Sequence, residues 1–241
     1  MNHVVNKKQG FTLIELMLAM SFISVLLIAV ALTVIQISGI YNRGITLKDV
    51  NQAGRSISAE MTRSVGESPA FSIEPGAGSR FVQQDWGGRL CVGQYSYIWN
   101  YGKAIVKNDI TELNSYDPDI DFVKAKEVIR FIKVLDPSSA YCQTPDKKVN
   151  PNDAIELLNV GEHNLAIHKF TVNTEPTATD AKTKQQLYSI NFILGTNDQD
   201  ALTYDSGLDA TCKPPSTAGS DLNYCAVNLF DLTVRAGNAV K

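Results

Sequence analysis

Residues 7–15 read Lys7-Lys8-Gln9-Gly10-Phe11-Thr12-Leu13-Ile14-Glu15, and residues 16–36 continue LMLAMSFISVLLIAVALTVIQ. From Phe11 to Gln36, 20 of 26 residues are apolar and Glu15 is the only charge. The uncharged run 16–35, at about 1.5 Å per residue, crosses a hydrocarbon core of about 30 Å as a helix. Lys7 and Lys8 stand just before it. The positive-inside rule therefore keeps the N-terminus cytoplasmic and sends the remaining chain outside. A carboxylate inside such a helix costs about 2.5–3.5 kcal/mol on insertion scales, so Glu15 calls for a functional reason.

Three readings compete for this segment. A cleaved secretory signal peptide explains the basic start and the Ala29-Val30-Ala31 pattern. The apolar run is longer than a usual signal core, however, and carries an acid near its start. A plain signal anchor explains the length and leaves Glu15 without a role. The third reading accounts for every feature. The run from Lys7 to Glu15 closely resembles the processing motif of type IV prepilins. It joins a short basic leader, Gly-Phe, and a carboxylate five residues into the mature helix.

The resemblance implies that a membrane-embedded prepilin peptidase cuts between Gly10 and Phe11 and methylates the new amine of Phe11. Residues 1–10 are then a leader. Glycine at position 10 allows close backbone approach in a peptidase cleft. After the cut, Glu15 and the Phe11 amine are opposite charges in an apolar medium. In a filament Glu15 of one subunit pairs with the amine of its neighbour, because an unpaired buried charge keeps its full desolvation cost. The implied partners are other pilin subunits, the prepilin peptidase, a membrane assembly platform, and the lipid bilayer before assembly. The implied destination is a cell-surface or extracellular filament.

Beyond Gln36 the helical period continues. Ile37, Ile40, Leu47, Val50, Ile57 and Met61 mark one face of an amphipathic helix. No proline interrupts residues 11–68, and Gly66 with Pro69 supplies the stop. Residues 11–36 form the membrane and filament-core half, and 37–67 the amphipathic half. Gly39, Gly44 and Gly54 weaken the helix by about 1 kcal/mol each relative to Ala and mark points of bending or local melting. Many major pilins carry a helix-breaking proline in the apolar half. Its absence here, with the chain's size, points to a minor subunit.

From residue 68 to 241 the period changes to two. Strands are expected at 80–84, 89–99, 103–107, 127–135, 154–159, 165–173, 186–195 and 227–235. In the last, Asn228, Phe230, Leu232 and Val234 alternate with Val227, Leu229, Asp231 and Thr233. Residues 160–164, Val-Gly-Glu-His-Asn, read as a hairpin turn. Strands without helices between them imply an antiparallel sheet, and the fold class is α+β. Pilins share this organisation of a long N-terminal helix packed on an antiparallel sheet domain.

The four cysteines, Cys91, Cys142, Cys212 and Cys225, lie in the exported part and allow three pairings. The likeness to the disulfide-bounded loop near the C-terminus of pilins implies Cys212 with Cys225, and with it Cys91 with Cys142. Tyr95, Tyr97, Trp99 and Tyr101 share one parity, so a strand places them on one face. That face is either core beneath the helix or a surface that stacks on a partner.

Catalytic and metal signals are weak. No G-x-S-x-G, Walker A, G-x-G-x-x-G or C-x-x-C occurs. His163 and His168 differ in parity, against a zinc pair. Asp198, Asp200, Asp205 and Asp209 crowd one loop but lack EF-hand spacing, and a solvated acidic loop is expected. No enzyme, cofactor or metal is expected. The pI of 5.6 gives no sign of nucleic-acid binding.

The averages conceal this division. The chain has 241 residues at a formal charge of −3, with a mean hydropathy of −0.09. With His counted neutral, Lys7, Lys8 and Glu15 are its only charged residues before position 37, so the exported part stands at −4. The expected function is a minor-pilin-like structural subunit for adhesion, motility or DNA uptake. A type II secretion pseudopilin shares the same mechanism. A membrane-anchored binding domain or enzyme outside any filament is the alternative of another class.

Overall fold

The computed structural model describes residues 12–107, 122–123, 127–144, 149, 153–158, 164–174, 185–205 and 209–237. Its first element is α1, one uninterrupted helix over Leu13–Gly66. At 54 residues it is about 80 Å long. None of Gly39, Gly44 and Gly54 breaks it. It stops where the sequence suggests: Glu67 N donates to Arg63 O, and Ser68 Oγ donates to Val65 O.

The chain separates into two compact units, residues 1–42 and 43–241. In the first, the described part of α1 presents its apolar side chains to the surroundings. In the second, α1 buries one stripe: Thr46, Val50, Gly54, Ile57, Met61 and Val65. The stripe begins later than the sequence suggests. Ile37, Ile40 and Leu47 remain exposed.

A five-stranded antiparallel sheet is ordered β1-β2-β3-β6-β7, from β1 (Phe81–Gln84), β2 (Gly87–Val92), β3 (Tyr95–Asn100), β6 (Phe131–Leu135) and β7 (Ala154–Glu156). A second sheet is ordered β12-β9-β8, from β8 (Leu165–Thr174), β9 (Gln186–Thr196) and β12 (Val227–Ala236). Short pairs join β4 (Phe122–Val123) to β5 (Glu127–Val128), and β10 (Leu202–Tyr204) to β11 (Ala210–Cys212). Two short helices, α2 (Gly102–Lys107) and α3 (Ala140–Gln143), complete the described elements. One parallel bridge, Tyr101 to Ile167, ties β3's end to β8.

Three expectations need correction. The stretch 89–99 is two strands, because Gly93 (φ 60) and Gln94 form a two-residue hairpin loop that needs a positive φ at its first position. The expected strand 103–107 is the helix α2: Ala104 N and Ile105 N both bond Tyr101 O. A short apolar run does not declare its period, and Gly102 lets the chain turn down tightly here. Residues 160–163 lie outside the described residues, but the strands flanking them do not pair. β7 pairs with β6, while β8 pairs along most of its length with the longer β9.

An aromatic row runs through both sheets beneath α1. Trp99 stacks on Phe81 at 6.2 Å and packs on Phe170 at 4.3 Å; Phe170 meets Phe192 at 5.8 Å, and Phe192 meets Phe230 at 5.1 Å. Such contacts add about 0.5–1.5 kcal/mol each beyond burial. The row ends against the helix at Gly54. A Cβ there would lie 2.0 Å from the Phe230 ring, so this glycine is the slot into which Phe230 fits. The opposite face of the five-stranded sheet carries a second cluster around Ile98, Ile132, Val134 and the Cys91–Cys142 disulfide.

Candidate functional site: the N-terminal helix and its anchoring

Gly10 and Phe11 lie outside the described residues. Glu15 lies in the first turn of α1 and meets Thr12. Thr12 N and Thr12 Oγ1 both donate to Glu15 Oε2, at 2.9 and 2.8 Å, and Glu15 N donates back to Thr12 Oγ1 at 3.4 Å. This reciprocal arrangement is a capping box, with Thr12 as N-cap and Glu15 at the third helical position. The pattern Thr-x-x-Glu is a helix-start signal in the sequence itself and adds a second role for Glu15. Among the described contacts only Oε2 is engaged, which leaves Oε1 for another donor.

The helix beyond this cap is long and apolar enough to cross a membrane. Ser21, Ser24 and Thr33 return their hydroxyl protons to carbonyls three or four residues back. Their polarity is thus absorbed within the helix, as an apolar medium requires.

The second half of α1 is held by a polar knot as well as by apolar packing. Glu60 Oε1 accepts from Lys133 Nζ at 2.6 Å and from Tyr97 OH at 2.8 Å. Arg63 pairs with Glu60 Oε2 at 2.5 Å, and Ser64 Oγ lies 2.5 Å from Tyr97 OH. Lys133 Nζ also sits 3.7 Å from the centre of the Tyr95 ring. Burial would raise the Glu60 pKa, but the Lys133 and Tyr97 hydrogen bonds and the nearby positive charges outweigh it and bring it to about 2. Burial chiefly pushes the Tyr97 hydroxyl far upward, so it stays a donor.

These contacts decide the aromatic set. Tyr97 and Trp99 are 0% exposed and belong to the core. Tyr101 is half-buried and bonded to Gln83 Nε2, and Tyr95 carries Lys133. The four do not form one exposed partner surface, because Tyr97 and Trp99 are buried in the core with the helix stripe, while Tyr95 is exposed at the start of β3.

Both disulfides are present: Cys91 with Cys142, and Cys212 with Cys225. The first closes behind the five-stranded sheet; the second bounds a loop beside β12. In the acidic loop, Asp198 Oδ1 accepts Asp200 N, Asp205 Oδ1 accepts Asp209 N, and Asp209 pairs with Lys169. Among the described residues no group of three or more potential ligands is arranged for a metal. His163 lies outside the described residues. His168 is buried at a bulge in β8.

The anchoring helix, its cap and the packed sheet define the class: an apolar N-terminal helix carrying a predominantly β domain. Residues 5–35 match the prokaryotic N-terminal methylation motif, the signature of type IV pilins and prepilins. The match covers the N-terminal segment alone and supports a type IV pilin-like or pseudopilin-type protein. That motif implies processing by a prepilin peptidase and assembly with other pilins, in a family that is structural rather than catalytic. It also fits a membrane-anchored precursor. No curated protein and no solved structure matches the chain.

Proposed function

We propose that this chain is a minor-pilin-like structural subunit, without enzymatic activity, of a type IV pilus or related filament. It is inserted with its N-terminus cytoplasmic, cut between Gly10 and Phe11, methylated on Phe11, and then drawn from the bilayer into a filament. Residues 1–10 are the leader, 11–36 the membrane and filament-core half of the helix, 37–67 its amphipathic half, and 68–241 the exported domain. The observation that carries this reading is a lone carboxylate, Glu15, at the start of the apolar, exposed half of α1 and within the methylation motif.

The mechanism follows from desolvation. In the isolated chain the Glu15 charge is partly met by the Thr12 donors. In a filament core the Phe11 amine of a neighbour adds an opposite charge to the same carboxylate, and that gain favours assembly in one axial register. Two measurements test the proposal. The mature N-terminal residue should be N-methyl-Phe11; any other start rejects the processing. Glu15→Ala should leave membrane insertion intact and lower incorporation into sheared filaments at least tenfold; unchanged incorporation removes the charge-pairing role.

A further inference from the structure

A cleft of about 560 Å³ opens where four separate stretches converge: the end of β1 and its turn (83–85), the start of α2 (101–103), the bulge of β8 (168–169) and β10 at Tyr204. That volume lies within the usual range for small-molecule sites. Its construction is unusual in two respects. His168 and Lys169 are consecutive strand residues, which a regular strand would point to opposite faces. The irregularity in β8 between Ile167 and Lys169 lets both line the cleft, as a bulge re-aims side chains. At Gly102 a Cβ would come within 2.9 Å of His168 Nδ1 and 2.4 Å of Asn197 Oδ1. Only a glycine fits this closely against His168 and Asn197 at the edge of the cleft.

The chemistry of the lining is mixed. His168 Nε2 faces Thr196 O at 3.0 Å, and a carbonyl only accepts, so Nε2 carries the proton and Nδ1 is an acceptor. Burial, with the nearby Lys103 charge, lowers the His168 pKa to about 4, so the ring is neutral at ordinary pH. The single Tyr204 hydroxyl proton goes to Gln199 Oε1 at 2.9 Å, the shorter bond, while His168 Nδ1 lies 3.4 Å away. Lys103 Nζ lies 3.6 Å from the centre of the Tyr204 ring and has no carboxylate partner among the described residues. Lys169 is committed to Asp209. Gln83, Gln84 and Asp85 supply amides and one carboxylate at the other wall.

We propose that this cleft binds a pyranose sugar bearing one carboxylate. The ammonium of Lys103 takes the carboxylate. The Tyr101 and Tyr204 rings pack the apolar edge of the sugar. Gln83, Gln84, Asp85 and His168 Nδ1 exchange hydrogen bonds with its hydroxyls. Amide and carboxylate acceptors beside aromatic rings suit a polyol, whereas Asp85 opposes a multiply charged phosphate. The site is independent of filament assembly.

The test uses the full chain in detergent micelles and saturation-transfer NMR with four probes: glucuronate, galacturonate, glucose and acetate. At least one uronate should bind in the millimolar range or tighter, with glucose and acetate at least tenfold weaker. Lys103→Met should bring uronate binding down to the glucose level, and Lys103→Arg should restore it. Absence of uronate binding overturns the proposal. So does glucose or acetate binding as well as the uronates, or Lys103→Met binding as well as the unaltered chain. The probe comparison on the unaltered chain decides even if a variant fails to fold.

Discussion

The two halves of α1 share one backbone and solve opposite problems. Near the N-terminus every face is apolar and exposed; from Thr46 onward one stripe is buried and the other faces are polar. The first half is stable only in a medium that resembles its own side chains, a bilayer or a bundle of like helices. The second is stabilised within its own chain by the aromatic row, the Gly54 slot and the Glu60 knot. Chemical hydrophobicity is therefore a poor guide to which half holds the domain together. Arrangement decides it: the apolar half buries none of its described side chains, and the less apolar half buries a stripe against the sheets.

An acid placed on each half should break this comparison most strongly. Ile57→Asp removes a side chain that is 1% exposed and buries an unpaired charge. Its cost should exceed about 4 kcal/mol and unfold the exported domain, seen as loss of the cooperative thermal transition. Ile28→Asp should leave that transition where it is and instead reduce recovery of the chain in the membrane fraction. Equal effects of the two on domain unfolding would mean that the halves are not energetically separate.

A smaller contrast comes from two glycines on the same helix. Gly54→Ala drives a methyl into the Phe230 ring and should cost about 1–3 kcal/mol, because the ring is held by Phe192. At Gly44 an added methyl would meet nothing within 4 Å, so Gly44→Ala should add about 0.5–1 kcal/mol from helix propensity. The unfolding midpoint should fall in the first variant and rise in the second. Two shifts of the same sign would remove the slot role of Gly54.

The same contrast separates what is legible in the sequence from what is not. The processing motif, the apolar span and the late helix stop are local patterns, and a local pattern carries its own period and its own punctuation. So does the alternation in β12, whose even residues face the helix. Gly54 looks like a weak point in sequence because the ring that fills its slot, Phe230, comes from the last strand. The run 103–107 suits a strand as well as a helix, because five residues carry either period. The bulge at His168, which brings Lys169 to the same cleft, leaves no mark in the sequence. The Thr12–Glu15 cap, by contrast, is written there plainly, and one carboxylate serves both as a charge and as a capping group.

The last contrast concerns pH and tests the knot that pins the second half. Glu60 is held at about 2 against an ordinary 4.5. A carboxylate lowered in the fold contributes stability that is complete above its ordinary pKa, and loses it as pH falls from about 4.5 through about 2. His168 acts in a higher window: its pKa is lowered from 6.5 to about 4, so the unfolded chain takes up a proton first and stability falls from about pH 6.5 towards 4. Glu60→Gln keeps the shape and a hydrogen-bond acceptor but removes the charge that Lys133 and Arg63 meet. At neutral pH it should cost about 1–2 kcal/mol, within the range for hydrogen bonds to charged groups after allowance for solvent near Arg63. Below about pH 4.5 the midpoint of the variant should fall less steeply than that of the unaltered chain, while the two run parallel between about 6.5 and 5, where His168 governs both. Parallel curves throughout would place the acid sensitivity elsewhere and leave the packed half held by its apolar stripe alone.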